Sequence, residues 1–158
     1  MDINIRKMNN SEYGILEDFL YEAIFQRDEL NLAPRSIIFD PAVYIYIKDF
    51  GEYADDYCLC AQVDGQIVGA VWVRIIEGFG SVDKETPEFA ISLYREYRGC
   101  GIGTKLMYEM LEYLKTKKYE KTSLAVQKDN YAYRMYKAVG FDIVDENEEE
   151  YIMVCNLN

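Results

Sequence analysis

Apolar residues recur along this chain with two periods, and the change from one to the other marks out the predicted elements. Ile3 and Ile5 alternate with polar neighbours, as a half-buried strand requires. Ser11 is placed to cap a helix running to about residue 25, in which Ile15, Leu16, Phe19, Leu20 and Ile24 return every three or four positions. Residues 26–40 keep no period and contain Pro34, and Pro41 then opens a short helix carrying Val43, Tyr44, Ile47 and Phe50. Strands at 57–63 and 67–76 are joined by Asp64-Gly65, a strong signal for a tight hairpin. A strand over 88–94 runs into a segment with three glycines, followed by a helix over about 102–117 whose Leu106, Met107, Met110, Leu111 and Leu114 form one apolar stripe. A strand at 122–126, a helix at 130–139 and a hairpin of 141–144 with 151–157 complete the chain. The order βααβββαβαββ predicts an α/β (α+β) domain with a mixed sheet.

Length and composition narrow the picture. With 158 residues, 50% of them hydrophobic, and no Pro-, Gly- or Ser-rich window, residues 1–158 are expected to form a single domain around one core. No apolar run reaches the length of a membrane span, and Met1-Asp2-Ile3-Asn4 lacks the basic and apolar regions of a leader, so a cytoplasmic protein without membrane association is expected. Cys58 and Cys60 lie two apart on a strand and point to one face, a poor geometry for a disulfide. With no histidine in the sequence and no second cysteine pair at ligand spacing, no metal site is expected. A net charge of -11 argues against a nucleic-acid partner. The acidic run Asp145-Glu146-Asn147-Glu148-Glu149-Glu150 reads either as a solvated hairpin turn or as a wall that favours a cationic partner.

The chemistry concentrates in Arg98-Gly99-Cys100-Gly101-Ile102-Gly103-Thr104. Glycines let a backbone turn tightly against a ligand, and the first turn of the following helix offers unpaired N–H groups and a positive dipole end, so the segment suits a diphosphate. Its spacing is neither the G-x-G-x-x-G of a dinucleotide fold nor the G-x-x-x-x-G-K-[ST] of a nucleotide P-loop. Arg98-x-x-Gly101-x-Gly103 resembles the R/Q-x-x-G-x-G/A loop of the GNAT superfamily, the acetyl-CoA-dependent N-acetyltransferases. About 30 residues on, the segment from Val126 through Asn130, Tyr136 and Gly140-Phe141 is similar to that superfamily's V-x-x-x-N-x-x-A-x-x-x-Y-x-x-x-G-F pattern. The interval from Asn130 to Tyr136 is one residue shorter than the commonest form, which leaves Asn130 and Asp129 both as candidates for the asparagine role.

The resemblance implies a mixed, mostly antiparallel sheet flanked by helices, coenzyme A as co-substrate, and acetyl transfer to a primary amine, small or peptidic. It places the pantetheine arm along Leu93, Tyr94 and Arg95, with a backbone N–H near Leu93 facing the thioester oxygen, and the diphosphate on Arg98, Gly99, Cys100, Gly101, Ile102, Gly103 and Thr104. Tyr136 takes the position of the tyrosine that serves the departing thiolate. Without histidine, a carboxylate is the natural side-chain base. Glu88, at the start of the strand feeding the loop, is the first candidate, with Glu77 or ordered water as alternatives. Residues 26–39 and the acidic hairpin are expected to wall the acceptor, and exposed aromatics on the last strands would support a homodimer. A coenzyme A-binding regulatory module that keeps the fold without turnover is the competing function.

Overall fold

The computed structural model describes residues 1–158. Its strands are β1 (Ile3–Lys7), β2 (Tyr57–Val63), β3 (Gln66–Arg74), β4 (Glu88–Leu93), β5 (Lys121–Gln127), β6 (Asp142–Glu146) and β7 (Glu150–Asn156). The helices are α1 (Leu16–Ala23), α2 (Pro41–Tyr44), α3 (Ile102–Thr116) and α4 (Tyr133–Val139). The strands form one seven-stranded sheet in the order β1-β2-β3-β4-β5-β7-β6, antiparallel throughout except for the β4–β5 pair. This is the mixed, mostly antiparallel sheet that the resemblance implied.

Alternation along the strands sorts their side chains between two cores. Leu59, Ala61, Val71 and Val73 join the apolar stripe of α3, where Leu106, Met107, Met110 and Leu114 are fully buried. Cys58, Cys60, Ala70 and Trp72 face the other way, against Leu16, Phe19 and Leu20 of α1. Burying a side chain of this size contributes about 1.5–3 kcal/mol, so α1 and α3 are held to the sheet by packing more than by helix propensity. No helix is long and apolar enough to cross a membrane.

Several boundaries differ from the expected ones. The predicted first helix begins as a 3-10 segment, Asn10–Ile15, and Asn9 rather than Ser11 precedes it. The Asn9 N–H donates to Glu12 Oε1 at 2.8 Å, and Arg6 holds both Glu12 oxygens at 2.9 Å. The helix after Pro41 lasts only four residues before the chain turns toward β2. α4 starts at Tyr133 rather than residue 130 because Asn130 Oδ1 accepts the Ala132 N–H at 2.9 Å, which closes a turn ahead of the helix. The exposed aromatics expected on the last strands are absent: Phe141 is fully buried and Tyr151 packs against Tyr133. Every residue of β6 is exposed, the apolar ones being Ile143 and Val144, and its pairing with β7 shifts register between Ile143 and Asp145.

The Arg6 contact and the Asn9 N–H pull the Glu12 carboxyl down to about 2. A lowered value stabilises the fold above the ordinary Glu range, and the contribution disappears as pH falls toward 2. Because both partners are partly solvated, Glu12→Gln is expected to cost about 1 kcal/mol at pH 7 and nothing near pH 2. Urea midpoints measured across that range should converge; a constant gap between wild type and variant would remove the ion pair as its cause.

A second ion pair is buried. Arg74, the last residue of β3, donates from Nε and one terminal nitrogen to Asp56 at 3.0 and 2.7 Å, and from the other to the Ile45 and Lys48 carbonyls at 2.9 and 2.7 Å. Asp56 also accepts the Gly51 and Tyr53 N–H groups at 2.8 and 3.2 Å, so the connection from α2 to β2 is folded around one charge pair with side chains 1% and 0% exposed.

Candidate active site

β4 and β5 run together at one end and part at the other. Their registered pairing is Glu88 with Ser123, while β5 goes on to pair with β7 along its whole length. On its other side β4 pairs with β3, and the Tyr94 N–H donates to the Val68 carbonyl at 3.0 Å. Antiparallel pairing alternates the direction of successive backbone groups, so those of Leu93 and Ile91 point away from β3 and into the gap. The gap is therefore a groove with polar backbone on one wall, its apex at Glu88 and its mouth at Leu93.

At the mouth stands the glycine loop. Gly99 and Gly101 have φ of 77° and 83°, left-handed values that cost a side-chain-bearing residue about 1–2 kcal/mol. Lys105 N–H makes the first intrahelical bond of α3, to the Gly101 carbonyl at 3.2 Å, so the N–H groups of Ile102, Gly103 and Thr104 have no acceptor within the helix. A cavity of about 670 Å³ joins this turn to the groove. Leu93, Arg95, Arg98, Gly99, Gly101, Gly103, Thr104, Asn130 and Tyr136 line it.

Four of the sequence-predicted residues lie elsewhere. Tyr94 packs on Phe19 and donates its hydroxyl to Asp18 at 2.7 Å. Cys100 is exposed, with its Sγ 3.7 Å from the Arg98 carbonyl. The Ile102 side chain is wholly buried in the core shared with α3. Glu88 is the fourth. It is 3% exposed and absent from the cavity wall, and it accepts from Tyr46 Oη, from the Gly78 N–H at 3.0 Å and from the Gly80 N–H at 3.2 Å. Desolvation pushes its carboxyl up, against the pull of these donors. Both oxygens already accept hydrogen bonds from the protein, Oε1 from Gly78 and Oε2 from Tyr46 and Gly80.

Two expected cations are also engaged. Arg98 lines the cavity but donates from Nε to the Leu93 carbonyl at 3.2 Å and from a terminal nitrogen to Glu22 Oε2 at 3.1 Å, which ties the end of β4 to the end of α1. Arg95 pairs with Glu29 at 3.4 Å. The anion-binding donors left free are chiefly backbone N–H groups. Of the two candidates for the asparagine role, Asn130 lines the cavity, whereas Asp129 accepts from Arg27 at 2.7 Å. Burial alone raises the Tyr136 phenol, to about 12, with no hydrogen bond contributing.

The wall also includes Tyr21, Ile24, Phe25 and Met135, which no motif singled out. The one available signal was the loss of apolar period from residue 26; the helix ends earlier than expected, at Ala23, and Ile24 adopts an extended ψ of 118°.

The description of the acetyltransferase (GNAT) family matches residues 22–141, from the end of α1 through the glycine loop to Phe141. This chain belongs to the GNAT acetyltransferase family. An N-alpha-acetyltransferase of Sulfurisphaera tokodaii is 29% identical to this GNAT chain over 130 residues, covering 72% of it and 77% of the relative. Among solved structures, the PaiA N-acetyltransferase of Thermoplasma acidophilum in complex with coenzyme A superposes with a TM-score of 0.73 at 21% identity, covering 99% of both chains. A spermidine N-acetyltransferase SpeG chimera from Vibrio cholerae and hSSAT gives 0.66 at 16% identity, covering 99% of this GNAT chain and 96% of that one. The GNAT fold thus extends over the N-terminal elements, where no motif pointed to it.

Gly101→Ala tests the loop of this GNAT protein directly. The variant is expected to weaken coenzyme A binding about 5- to 30-fold, the equivalent of about 1–2 kcal/mol of left-handed strain, in a calorimetric titration. Unchanged affinity would mean that the loop does not hold the ligand.

Proposed function

We propose that this chain moves an acetyl group from acetyl-CoA to a primary amine by direct attack within a ternary complex. The observation that carries this is the continuity of the groove: free N–H groups at the start of α3, then the unpaired edge of β4, then the Tyr136 phenol, all on one cavity. Coenzyme A supplies a thioester, whose carbonyl is the electrophile. A cradle of left-handed glycines and backbone donors suits its diphosphate, and the Leu93 edge suits an arm that pairs like an added strand.

Each residue then has a task. The N–H groups facing the groove from Ile91 and Leu93 are the donors available to a developing oxyanion, a contact that in other enzymes is worth about 3 kcal/mol. Tyr136 serves the sulfur. A phenol near 12 opposite a thiol near 8.5 makes complete proton transfer uphill by about 5 kcal/mol, so Tyr136 stabilises the thiolate as a hydrogen-bond donor and stays protonated. Asn130 shapes the turn that aims α4, and with it Tyr136, at the cavity.

The attacking amine must shed a proton. The carboxylates on the wall, Glu22 and Glu29, are paired with Arg98 and Arg95. The proton therefore leaves to water, and kcat/KM should rise with pH toward the acceptor's own pKa in Glu88→Gln as in wild type. An acidic limb present in wild type and lost in that variant would restore Glu88 as the base. The net charge of -11 and the acidic turn between β6 and β7 favour a cationic acceptor, whether a small amine or a peptide.

The deciding experiment is thiol release from acetyl-CoA across a panel of small amines, polyamines and peptides. Amine-dependent release is expected. Thermal stabilisation by coenzyme A with no release across the panel would overturn the reading in favour of a binding module.

A further inference from the structure

The apex of the β4–β5 groove carries an arrangement that neither the glycine loop nor Tyr136 explains. Three successive backbone N–H groups converge on the buried Glu88 and the half-buried Tyr46. Gly78 and Gly80 donate to the two oxygens of Glu88, and the Phe79 N–H between them donates at 2.9 Å to the hydroxyl of Tyr46, which in turn donates to Glu88. The segment is built for this approach. A Cβ on Gly78 would stand 2.6 Å from Glu88 Oε1, and one on Gly80 would stand 2.5 Å from the Leu124 carbonyl carbon of β5. The arch thus lies on β5 one residue beyond Ser123, where the two strands begin to part.

What the arch displays is an aromatic ring. Phe79 is 51% exposed and lies nearly parallel to the Tyr46 ring, 6.3 Å between centroids and 14° between planes. Behind the stacked pair lies the Glu88 carboxyl, to which Tyr46 donates, on a chain whose net charge is -11. A π face in negative potential is the setting that attracts an alkylammonium.

We propose that Glu88 is a positioning residue of the acceptor side, which with Tyr46 holds the Gly78–Gly80 arch across the groove apex and presents the Phe79 ring as the face that receives an alkylammonium acceptor. The proposal rests on the acetyl-transfer reading for its position in the reaction. A thioester arm entering at the mouth and lying along Leu93 and Ile91 points its reactive end at the apex, so an amine seated on Phe79 arrives from the opposite side to the coenzyme.

The proposal separates Glu88 from a general base by which constants move. Phe79→Ala, an exposed position, is expected to raise KM for an alkylamine at least about fivefold and leave KM for acetyl-CoA within about twofold. Glu88→Gln loses a carboxylate oxygen that accepts an N–H, and should produce the same split with an unaltered pH profile. The double variant should be no worse than Glu88→Gln, because both changes remove one device. Tyr46→Phe should reproduce part of the effect. An unchanged amine KM in Phe79→Ala, or loss of an acidic limb of kcat/KM in Glu88→Gln, overturns the proposal.

Two measurements need no turnover and so distinguish failure here from failure of the acetyl-transfer reading. Amide exchange at Gly78, Phe79 and Gly80 should accelerate at least about tenfold in Glu88→Gln while α3 is unaffected. Butylammonium titrated against the Phe79 ring signals should give saturable shifts in wild type that are lost in Glu88→Gln. Unchanged exchange, or no shift in wild type, overturns the arch or the platform even where acetyl transfer proceeds.

Discussion

Replacing Tyr136 by phenylalanine is expected to lower kcat about 100-fold while KM for acetyl-CoA stays within about twofold, the pattern of an interaction made mainly in the transition state. The ring is held in its place by packing on Phe141, 6.2 Å between centroids, and its carbonyl accepts the Phe141 N–H at 2.9 Å. Neither contact uses the hydroxyl, so the variant removes one oxygen and leaves the wall intact. The pH dependence sharpens the test. With the phenol raised to about 12, Tyr136 stays protonated throughout any practical assay, and wild type should show no basic limb traceable to it. A basic limb that the phenylalanine variant abolishes would instead show a phenol that ionises during turnover. A kcat equal to wild type would reduce Tyr136 to packing.

Asp56→Ala is expected to produce the largest loss of stability among single substitutions outside the two cores, about 3–5 kcal/mol. The guanidinium of Arg74 would remain buried without its counter-charge, and the Gly51 and Tyr53 N–H groups would lose their acceptor. For a chain of this size the melting temperature should fall by roughly 10 °C. Adding Arg74→Met should recover part of the loss and no more. It removes the orphaned charge but abandons the Ile45 and Lys48 carbonyls that Arg74 satisfied. Urea titrations of wild type, the single variants and the double variant close the cycle. A loss below about 1 kcal/mol in Asp56→Ala would mean that water reaches the guanidinium and that the pair adds little.

Elements whose signal is local were legible. The stripe from Leu106 to Leu114, the Asp64-Gly65 turn and the left-handed glycines at 99 and 101 each follow from a few neighbouring residues, and the structure places them where the periodicity did. What escaped depends on register between distant segments. Arg74 and Asp56 are 18 positions apart, and nothing near either one announces that the chain from 45 to 56 folds around them. Glu88 looked like a strand-end charge beside a ligand loop because the glycines at 78 and 80, and Tyr46 42 positions earlier, reach it only once β3 and β4 are paired. Arg98 looked free for a phosphate for the same reason: its partner Glu22 belongs to α1, 76 positions away. Patterns located the cavity, whereas the hydrogen-bond partners of its charged residues required the sheet.

β6 ends the sheet with an open row of backbone donors and acceptors, the usual starting point for uncontrolled strand addition between molecules. Here that row carries Asp142, Asp145 and Glu146, and its pairing with β7 is interrupted between Ile143 and Asp145. Two copies meeting edge to edge would bring like charges into register on an irregular strand, so the border of the fold discourages growth into fibrils at neutral pH.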